Sequence, residues 1–445
     1  MKTGFSRICI TPPLGVPITG YYEKRVTKGV LDDLYASAVA FDDGESRALI
    51  LTVDVCLLST AQSNKAKALI CERTGLDASS IFINCSHTHT GPVIEVEFTG
   101  EYGNAEYDAF FYNALAEAAA ESFKDMRESE FSIGDGVADG ISFVRRFRMK
   151  DGGVQTNPGV DNPNILHSLG EPNDTVKFLK VEREGAEDVV IVSFGTHADT
   201  VGGELISGDW PAFVCRTVES VFDNTKCVFL TGSQGDVNHI NPRPTAGDRK
   251  GLEYDSFDNV PRGYTHTKHM GRKVAAAVIA KLDKTEPVVA DKISFGTKEI
   301  SIPSNMENDK LAEAQRISAL HLSGRDCELP YEKMELTTVV AEANRIVKLK
   351  DGPESFSYVL SALRLGEVVF AGLPGECFVD IGREIEKNYG KNSIFVCCLT
   401  NGGDTYFPTS SAYDEGGYEA RSSQLKKGGD KILTDGMREL LKTIS

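Results

Sequence analysis

Five stretches of the chain share one pattern, in which a short apolar run ends in polar or metal-binding side chains. They are IFINCS at 81–86, DVVIVSFGTHA at 188–198, KCVFLTGSQGDVN at 226–238, VVFAGLPGE at 368–376 and SIFVCCLTNGG at 393–403. Short β-branched and aromatic runs that end at glycine or small polar residues are typical of buried strands. Strands buried on both faces occur in sheets that helices cover. The pattern therefore predicts an α/β fold.

The sequence between these strands predicts further elements. Residues 36–58 predict two strands joined by a turn at DDG, and the patterns at 60–75 and 105–124 predict helices. The Gly-, Asn- and Pro-rich stretch at 150–173 is typical of a long surface loop. The charged stretch at 305–350 predicts a helical insertion or flank.

No linker separates regions of different composition. We therefore expect one large α/β domain over residues 1–445, with mixed and mostly buried β-sheets flanked by helices in αββα-like layers.

The charge of the chain restricts its partners. The 445 residues carry a net charge of −17. Phosphate contacts need clustered lysine and arginine, so a nucleic-acid partner and an anionic membrane surface are not expected. No apolar run approaches the length of a membrane-spanning helix, so membrane insertion is not expected either. A small-molecule substrate remains as the expected partner, and the oligomeric state stays open.

The cysteines and the N-terminal residues bear on the compartment. The start, MKTGFSRICITPP, has no apolar segment of signal-peptide length. The ten cysteines show no C-x-x-C spacing, and the vicinal pair Cys397 and Cys398 is poorly placed for an ordinary disulfide. We expect a cytoplasmic protein with buried free thiols at the cysteines in apolar stretches, which include Cys9, Cys56, Cys71, Cys85 and Cys227.

Three of the eight histidines follow apolar strands. His87 and His89 lie in SHTHTGP, His197 ends the FGTH strand, and Glu376 ends LPGE. A catalytic zinc site uses imidazole and carboxylate ligands and keeps one open position. The sequence therefore offers ligands for a shared zinc site at the strand ends. The H-x-H pattern alone is equally compatible with structural or exposed histidines.

Further motifs occur in order along nearly the whole chain. They are ITPP at 10–13, GYY at 20–22, GVLDDLYASAVAFDDG at 29–44, LTVDVCLL at 51–58, SHTHTGP at 86–92, FGTHADT at 194–200, ISGDWPA at 206–212, GSQGDVNHINPR at 232–243, GLPGE at 372–376, NGGDTYFPT at 401–409 and GGYEA at 416–420. With these motifs the chain resembles the catalytic domain of the neutral, non-lysosomal ceramidase family.

The resemblance implies a ligand set and a reaction. One catalytic zinc per chain is expected on four residues, His87, His197, Glu376 and Tyr406. His89 is expected to point into the pocket and, when protonated, to stabilise the developing oxyanion. Zinc lowers the pKa of a bound water to about 7, and the resulting hydroxide attacks an amide carbon. Tyr406 is also a candidate proton donor, although Tyr413 and Tyr418 lie close behind it.

The chain departs from this family in several places. The family's secreted members carry a signal and a C-terminal immunoglobulin-like domain, and we expect neither here. Asn238 stands where the family has a substrate-contacting serine, and an asparagine can still hydrogen-bond a substrate hydroxyl or carbonyl. His239, next to it, is an added candidate for the pocket, with a structural role as the alternative.

Four charged residues are further candidates for the surroundings of the site. Asp54 and Asp209 could orient a ligand imidazole, or cap a helix and bond the backbone. Arg146, within VRRFR at 144–148, and Arg243 could bind a carboxylate or phosphate of a substrate. The alternative for the arginines is a solvated basic strand edge.

The sequence thus predicts a zinc-dependent hydrolase that cleaves an amide (N-acyl) bond of a small, polar substrate. Three alternatives remain open: a ceramidase proper, zinc-dependent cleavage or elimination on a sugar or sugar acid, and an inactive binding protein.

Overall fold

The computed structural model describes residues 1–96, 100, 102–389, 393–403 and 405–444, so Asp404 of the NGGDTYFPT motif lies outside the described residues. Within this part of the chain, nine strands form one mixed sheet, here called the large sheet. The pair at each end of the sheet is parallel, and the other neighbours are antiparallel. The strands in spatial order are Thr225–Thr231, Asp188–Phe194, Thr175–Arg183, Arg127–Val137, Lys2–Cys9, Tyr35–Asp42, Arg47–Val53 and Ile81–Cys85, with Glu286–Pro287 paired beside Arg127–Val137.

Four more strands form a second sheet, here called the small sheet. Its first three strands are antiparallel neighbours and its last pair is parallel. In spatial order they are Ile293–Pro303, Ser355–Leu365, Val368–Gly372 and Ile394–Cys397. Both sheets therefore contain the apolar strands that the sequence predicts.

The alternation of side chains along the strands stacks the two sheets. Ile191 belongs to a buried cluster that also holds Phe370 of the small sheet. Its neighbour Val190 belongs to a different cluster, which contains Trp210 from a helix. Because successive side chains of a strand point to opposite faces, the large sheet packs against the small sheet on one face and against helices on the other.

Helices cover the outer face of each sheet. Thr60–Thr74, Ala105–Lys124, Asp209–Val221 and Tyr264–Ile279 lie on the side of the large sheet, and Val379–Tyr389 and Gly429–Thr443 lie on the side of the small sheet. The predicted αββα-like layers are therefore confirmed. The predicted helices at 60–75 and 105–124 are confirmed as well, and the first begins with a capping box between Ser59 and Gln62.

The stretch at 150–173 differs from the loop that the sequence predicts. Two of its segments, Val154–Thr156 and Ile165–Ser168, pair with Arg146–Met149 in a three-stranded sheet. Gly152 and Gly159 both have φ of 88°, a conformation that glycine adopts without strain. The high glycine content therefore marks the turns between strands rather than an unstructured segment.

The charged stretch at 305–350 contains a pair of helices, Leu311–Leu322 and Lys333–Leu349, with its own small buried cluster. The second helix packs on the short helix Tyr418–Ser422. The remaining helix is Ser410–Glu415. The prediction of a helical flank is confirmed, and this flank supports a segment that borders the site described below.

Short strand pairings connect the loops at the sheet ends. They are Pro17–Ile18 with Arg25–Val26, Gly29–Val30 with Leu205–Ile206, Phe143–Val144 with Val237–Asn238, and Glu376–Cys377 with Tyr406–Phe407. The last pairing is parallel and joins two of the predicted metal ligands.

All ten cysteines are free. Of those expected to be buried thiols, Cys56, Cys85 and Cys227 are buried, whereas Cys9 is exposed and Cys71 is half-buried. The expectation of a buried thiol is therefore wrong for Cys9, the last residue of the strand Lys2–Cys9. Among the described residues, none of the helices combines the length and the apolar character needed to cross a membrane.

Candidate metal centre

Three ligand-type side chains meet where separate strands end. His87 follows the strand Ile81–Cys85, His197 follows Asp188–Phe194, and Glu376 begins the short pairing with Tyr406. The Nε2 atoms of His87 and His197 lie 3.3 and 3.0 Å from Glu376 Oε2. All three residues are buried, and their ligand-type atoms lie within 4.8 Å of one another. This group could hold a metal ion.

Backbone carbonyls fix the tautomer of both histidines. His87 Nδ1 lies 2.8 Å from the carbonyl oxygen of Cys56. His197 Nδ1 lies 3.0 Å and 2.9 Å from the carbonyl oxygens of Gln234 and Val237. A carbonyl oxygen only accepts hydrogen bonds, so each Nδ1 must carry the proton. In the neutral form each Nε2 therefore presents a lone pair to the centre of the group, as metal ligation requires.

One atom of the group lacks a partner. Glu376 Oε2 is buried and makes no hydrogen bond with the described residues, although two imidazole nitrogens lie at ion-pair distance. Buried polar atoms are nearly always paired, because leaving one unpaired costs about 1–3 kcal/mol. A cation between this oxygen and the two Nε2 atoms would satisfy all three, so the residues present fit a divalent metal.

The protonation states of two of the three residues also suit metal binding. Burial alone would raise the pKa of Glu376, but the imidazoles of His87 and His197 outweigh burial and hold that pKa well below its usual range. Burial, followed by the charge of Arg145, lowers the pKa of His197. Metals bind ionised carboxylates and neutral imidazoles. Glu376 and His197 therefore already have the charge states that metal binding needs near neutral pH. Burial alone would lower the pKa of His87, but Cys56 and Glu376 outweigh burial and raise that pKa well above its usual value, so a bound metal would displace a proton from His87.

A second group of ligand-type atoms lies beside the first. It consists of Cys56, His87 and His89. The Cys56 Sγ atom lies 3.7 Å from His87 Nδ1, but that nitrogen donates its proton to the Cys56 carbonyl. Metal binding there would break the hydrogen bond that fixes the His87 ring. The group of His87, His197 and Glu376 is therefore the candidate metal centre.

Tyr406 lies at the edge of this centre. Its Oη atom is 3.5 Å from His197 Nε2, and its ring stacks on the His197 ring with centroids 6.5 Å apart. Arg145 donates a hydrogen bond of 3.2 Å to the same oxygen. Burial, reinforced by the charge of Glu376, raises the pKa of Tyr406 well above its usual value. The sequence-predicted tyrosine is thus beside the three ligands, whereas Tyr413 bonds Leu425 and Ser423 away from them.

The arginine at the centre is Arg145 rather than Arg146. Arg146 turns to Glu415 at 3.0 Å and stacks over Phe378, whereas Arg145 reaches Tyr406. Arg145 lies between the short strands Phe143–Val144 and Arg146–Met149, and the motif VRRFR does not show which of the two neighbouring arginines faces the centre. Arg145 also forms a buried ion pair of 2.6 Å with Glu419, which the sequence analysis did not single out.

Arg243 does not join the centre. Its side chain is exposed, and its backbone amide bonds the side chain of Asn241 within its own loop. The structure therefore favours the solvated alternative for Arg243.

His89 lies at the edge of the centre beside His87, whereas Tyr406 lies beside His197. Its Nε2 atom is 3.3 Å from His87 Nε2. Burial lowers the pKa of His89 well below its usual value, although the charge of Asp199 opposes the shift. The position agrees with the sequence expectation. The protonated state that the sequence predicted for His89 does not agree with the structure, because burial favours the neutral imidazole.

Asn238 and His239 hold loops around the centre. Asn238 donates to Asn157 at 2.9 Å and accepts from the amide of Ile240 at 3.0 Å. His239 Nε2 donates to the carbonyl of Pro261 at 2.7 Å, and burial lowers the pKa of His239 to about 4. Both side chains are buried, and these contacts are the ones expected of structural residues.

Asp54 and Asp209 bond the backbone rather than a ligand imidazole. Asp54 accepts from the amide of Tyr35 at 2.9 Å. Asp209 accepts from the amides of Thr200 and Val201, both at 2.9 Å, and so fixes the turn that follows His197. The two aspartates were predicted to orient the ligand imidazoles. In the structure, backbone carbonyls orient them instead.

Several neighbours of the centre were not predicted. Asp199 lies 3.8 Å from His89 Nδ1 and forms a buried ion pair of 2.7 Å with Arg262. The ring of Tyr418 meets that of Tyr406 edge-on, with centroids 5.7 Å apart. Asp199 stands two residues after His197 in the motif FGTHADT. This closeness to a predicted ligand is the feature of the sequence that could have identified Asp199.

Fold and centre together define a mixed α/β protein with a buried group of two histidines and one carboxylate that could hold a metal ion. No family model matches the sequence, and no curated protein matches it either.

Solved structures do match. The crystal structure of neutral ceramidase from Pseudomonas aeruginosa superposes with a TM-score of 0.73 at 16% sequence identity, covering 100% of this chain and 75% of that chain. A structure described as ceramidase complexed with C2 gives a TM-score of 0.71 at 14% identity, with the same coverage of both chains. This chain therefore has the fold of neutral ceramidase.

Proposed function

We propose that the chain is a zinc-dependent amidohydrolase that cleaves an N-acyl bond of a small, polar, uncharged substrate. The observation that carries this proposal is the unpaired Glu376 Oε2 between the Nε2 atoms of His87 and His197. The donor set supports zinc, since imidazole and carboxylate ligands with an open position are typical of catalytic zinc. The likeness to neutral ceramidase supports the amide bond as the one cleaved.

Zinc on this group would supply a Lewis acid for the substrate carbonyl and lower the pKa of a water molecule. The chain's own residues would supply the rest. Arg145 donates a hydrogen bond to the Tyr406 hydroxyl and so holds it in place beside His197. This hydroxyl is thus placed to donate a hydrogen bond or a proton at the reacting carbonyl. His89 lies beside His87 at the edge of the centre, where it can bind substrate.

Charge around the centre supports an uncharged substrate. Arg145 is paired with Glu419 at 2.6 Å, and Arg262 is paired with both Asp199 and Asp258 at 2.7 Å. A guanidinium already neutralised by carboxylates attracts a carboxylate or phosphate much less strongly. An N-acyl amine or an N-acyl amino sugar therefore fits the surroundings better than an anionic substrate.

The test combines metal analysis with a substrate panel. Protein purified without chelator is expected to contain about one zinc per chain and to release carboxylate from water-soluble N-acyl compounds. His197→Ala should lose both metal and activity. His167→Ala is the matched control, since His167 is exposed on the strand Ile165–Ser168. Retention of zinc by His197→Ala would contradict the ligand assignment.

A ceramidase proper is the second candidate, and the likeness to neutral ceramidase favours it. A short-chain fluorescent ceramide assayed beside the soluble compounds separates the two. Faster turnover of the ceramide would reject the polar substrate.

The ten free thiols support a location in a reducing compartment such as the cytoplasm.

A further inference from the structure

A buried ionic cluster lies behind His89, on the side away from the candidate metal centre. It consists of Asp199, Arg262, Asp258 and Tyr21, and is here called the Asp199 cluster. Arg262 donates to Asp199 through Nε at 2.9 Å and through Nη2 at 2.7 Å. It donates to Asp258 through Nη1 at 2.9 Å and through Nη2 at 2.7 Å. The hydroxyl of Tyr21 also donates to Asp199.

These contacts hold the Asp199 carboxylate in one place. Asp199 is only 7% exposed, and a two-point contact with a guanidinium fixes both the position and the plane of a carboxylate. The guanidinium of Arg262 also stacks on the ring of Tyr21, 4.7 Å from its centroid. Asp258 alone would neutralise the charge of Arg262, so the contacts with Asp199 add a second carboxylate to this ion pair.

His89 lies between this cluster and the metal centre. Its Nε2 atom is 3.3 Å from His87 Nε2, and its Nδ1 atom is 3.8 Å from Asp199 Oδ1. His89 Nδ1 is buried and makes no hydrogen bond with the described residues. The Asp199 carboxylate lies within ion-pair distance of His89 Nδ1. A small tilt of the His89 ring would bring this nitrogen into hydrogen-bond distance of Asp199.

Close packing around His89 limits how far the ring can move. The ring of Tyr21 lies against it, with centroids 5.5 Å apart. A side chain at Gly20 would come within 3.0 Å of the Cα, Cβ and Cγ atoms of His89, so the loop backbone also lies directly against it. Arg25 donates to the carbonyl oxygen of His89 at 2.8 Å and holds its backbone.

We propose that Asp199 is a positioning residue for His89, and this rests on the function proposed above. Asp199 accepts the hydrogen on His89 Nδ1. The proton is thereby kept on Nδ1, and Nε2, with its lone pair, faces the substrate side of the metal centre. In this tautomer His89 accepts a hydrogen bond from the substrate, such as the N–H of an amide, rather than donating one.

The test reads the tautomer directly. The full chain is labelled with ¹⁵N-histidine and loaded with zinc, and the His89 signals are assigned by comparison with His89→Gln. The expected spectrum shows His89 protonated on Nδ1. A proton on Nε2 in the unaltered chain would overturn the proposal, and this measurement needs neither a substrate nor a variant of Asp199.

Two matched variants complete the test. Asp199→Asn should shift His89 towards the tautomer protonated on Nε2 and lower kcat about 10- to 100-fold with little change in KM and full metal content. Asp258→Asn removes the other carboxylate that contacts Arg262, and should leave the His89 tautomer unchanged. Equal spectra for both variants would show that Asp199 is only structural. Absence of zinc or turnover in the unaltered chain would instead reject the proposed function and leave the tautomer result standing.

Discussion

Glu376 and Tyr406 are register partners in a parallel pairing of two residues each. The pairing joins the loop after Val368–Gly372 to the loop after Ile394–Cys397, and it places a carboxylate and a phenol beside the same imidazole, that of His197. Backbone hydrogen bonds thus fix the separation of the two side chains before any metal binds.

Tyr406→Phe tests the role of the phenol. The variant keeps the ring that stacks on His197 and loses only the hydroxyl, so His87, His197 and Glu376 should still retain zinc. We expect kcat to fall about 100-fold, the effect typical of losing one proton donor or oxyanion contact. Steady-state kinetics and metal analysis measure the two quantities. Tyr413→Phe is the control, because that hydroxyl bonds Leu425, and an equal loss there would reject the assignment.

Zinc should stabilise the folded chain through the candidate metal centre. Ligands that bind only the folded state add about 2.7 kcal/mol to the free energy of unfolding at a hundred times the dissociation constant. Chelation should therefore lower the midpoint of urea unfolding, and added zinc should restore it. His167→Ala should behave like the unaltered chain. A zinc-dependent rise in Glu376→Ala as large as in the unaltered chain would place the metal elsewhere.

The buried pair of Arg145 and Glu419 gives a prediction about stability. Glu419 is fully buried, and Arg145→Met would leave its carboxylate without its closest partner. Breaking a buried ion pair in this way costs about 3–5 kcal/mol. The double variant with Glu419→Gln should recover part of that loss, as urea unfolding would measure. Arg316→Met, which breaks an exposed pair, should change little. An Arg145→Met protein as stable as the unaltered chain would contradict the prediction.

His239 gives a prediction about pH. Burial lowers its pKa from 6.5 to about 4 in the folded chain. Its contribution to stability is therefore complete above pH 6.5, and is lost as the pH falls through about 4, because the unfolded chain takes up the proton first. The loss corresponds to about 3 kcal/mol. Metal-free His239→Gln should lack this loss when unfolding is compared with the unaltered chain at pH 7 and pH 4. Parallel pH curves would reject the prediction.

The sequence predicted the layers of the fold because the buried strands are almost wholly apolar and end at glycine or polar residues. It also predicted His87, His197 and Glu376, since strand ends fix the backbone while their side chains converge. It could not choose between Arg145 and Arg146, because that depends on how the chain turns between the short strands Phe143–Val144 and Arg146–Met149. Asp199 was missed because its partner Arg262 is 63 residues away and only tertiary structure brings them together.

The loop prediction at 150–173 was wrong for a related reason. Glycine, asparagine and proline identify turns, but they say nothing about whether the residues between two turns find a partner strand. Here Arg146–Met149 supplies that partner for both segments.

The residues of the metal centre come from segments far apart in the chain, and Tyr406 and His197 alone are 209 positions apart. Contacts between such distant residues form late in folding, since each requires a long loop to close first. During synthesis, the N-terminal half emerges with His87 and His197 but without Glu376. Metal capture by all three residues therefore has to wait until Glu376 has been synthesised and has reached the two histidines, so bound zinc would report that these distant segments have come together.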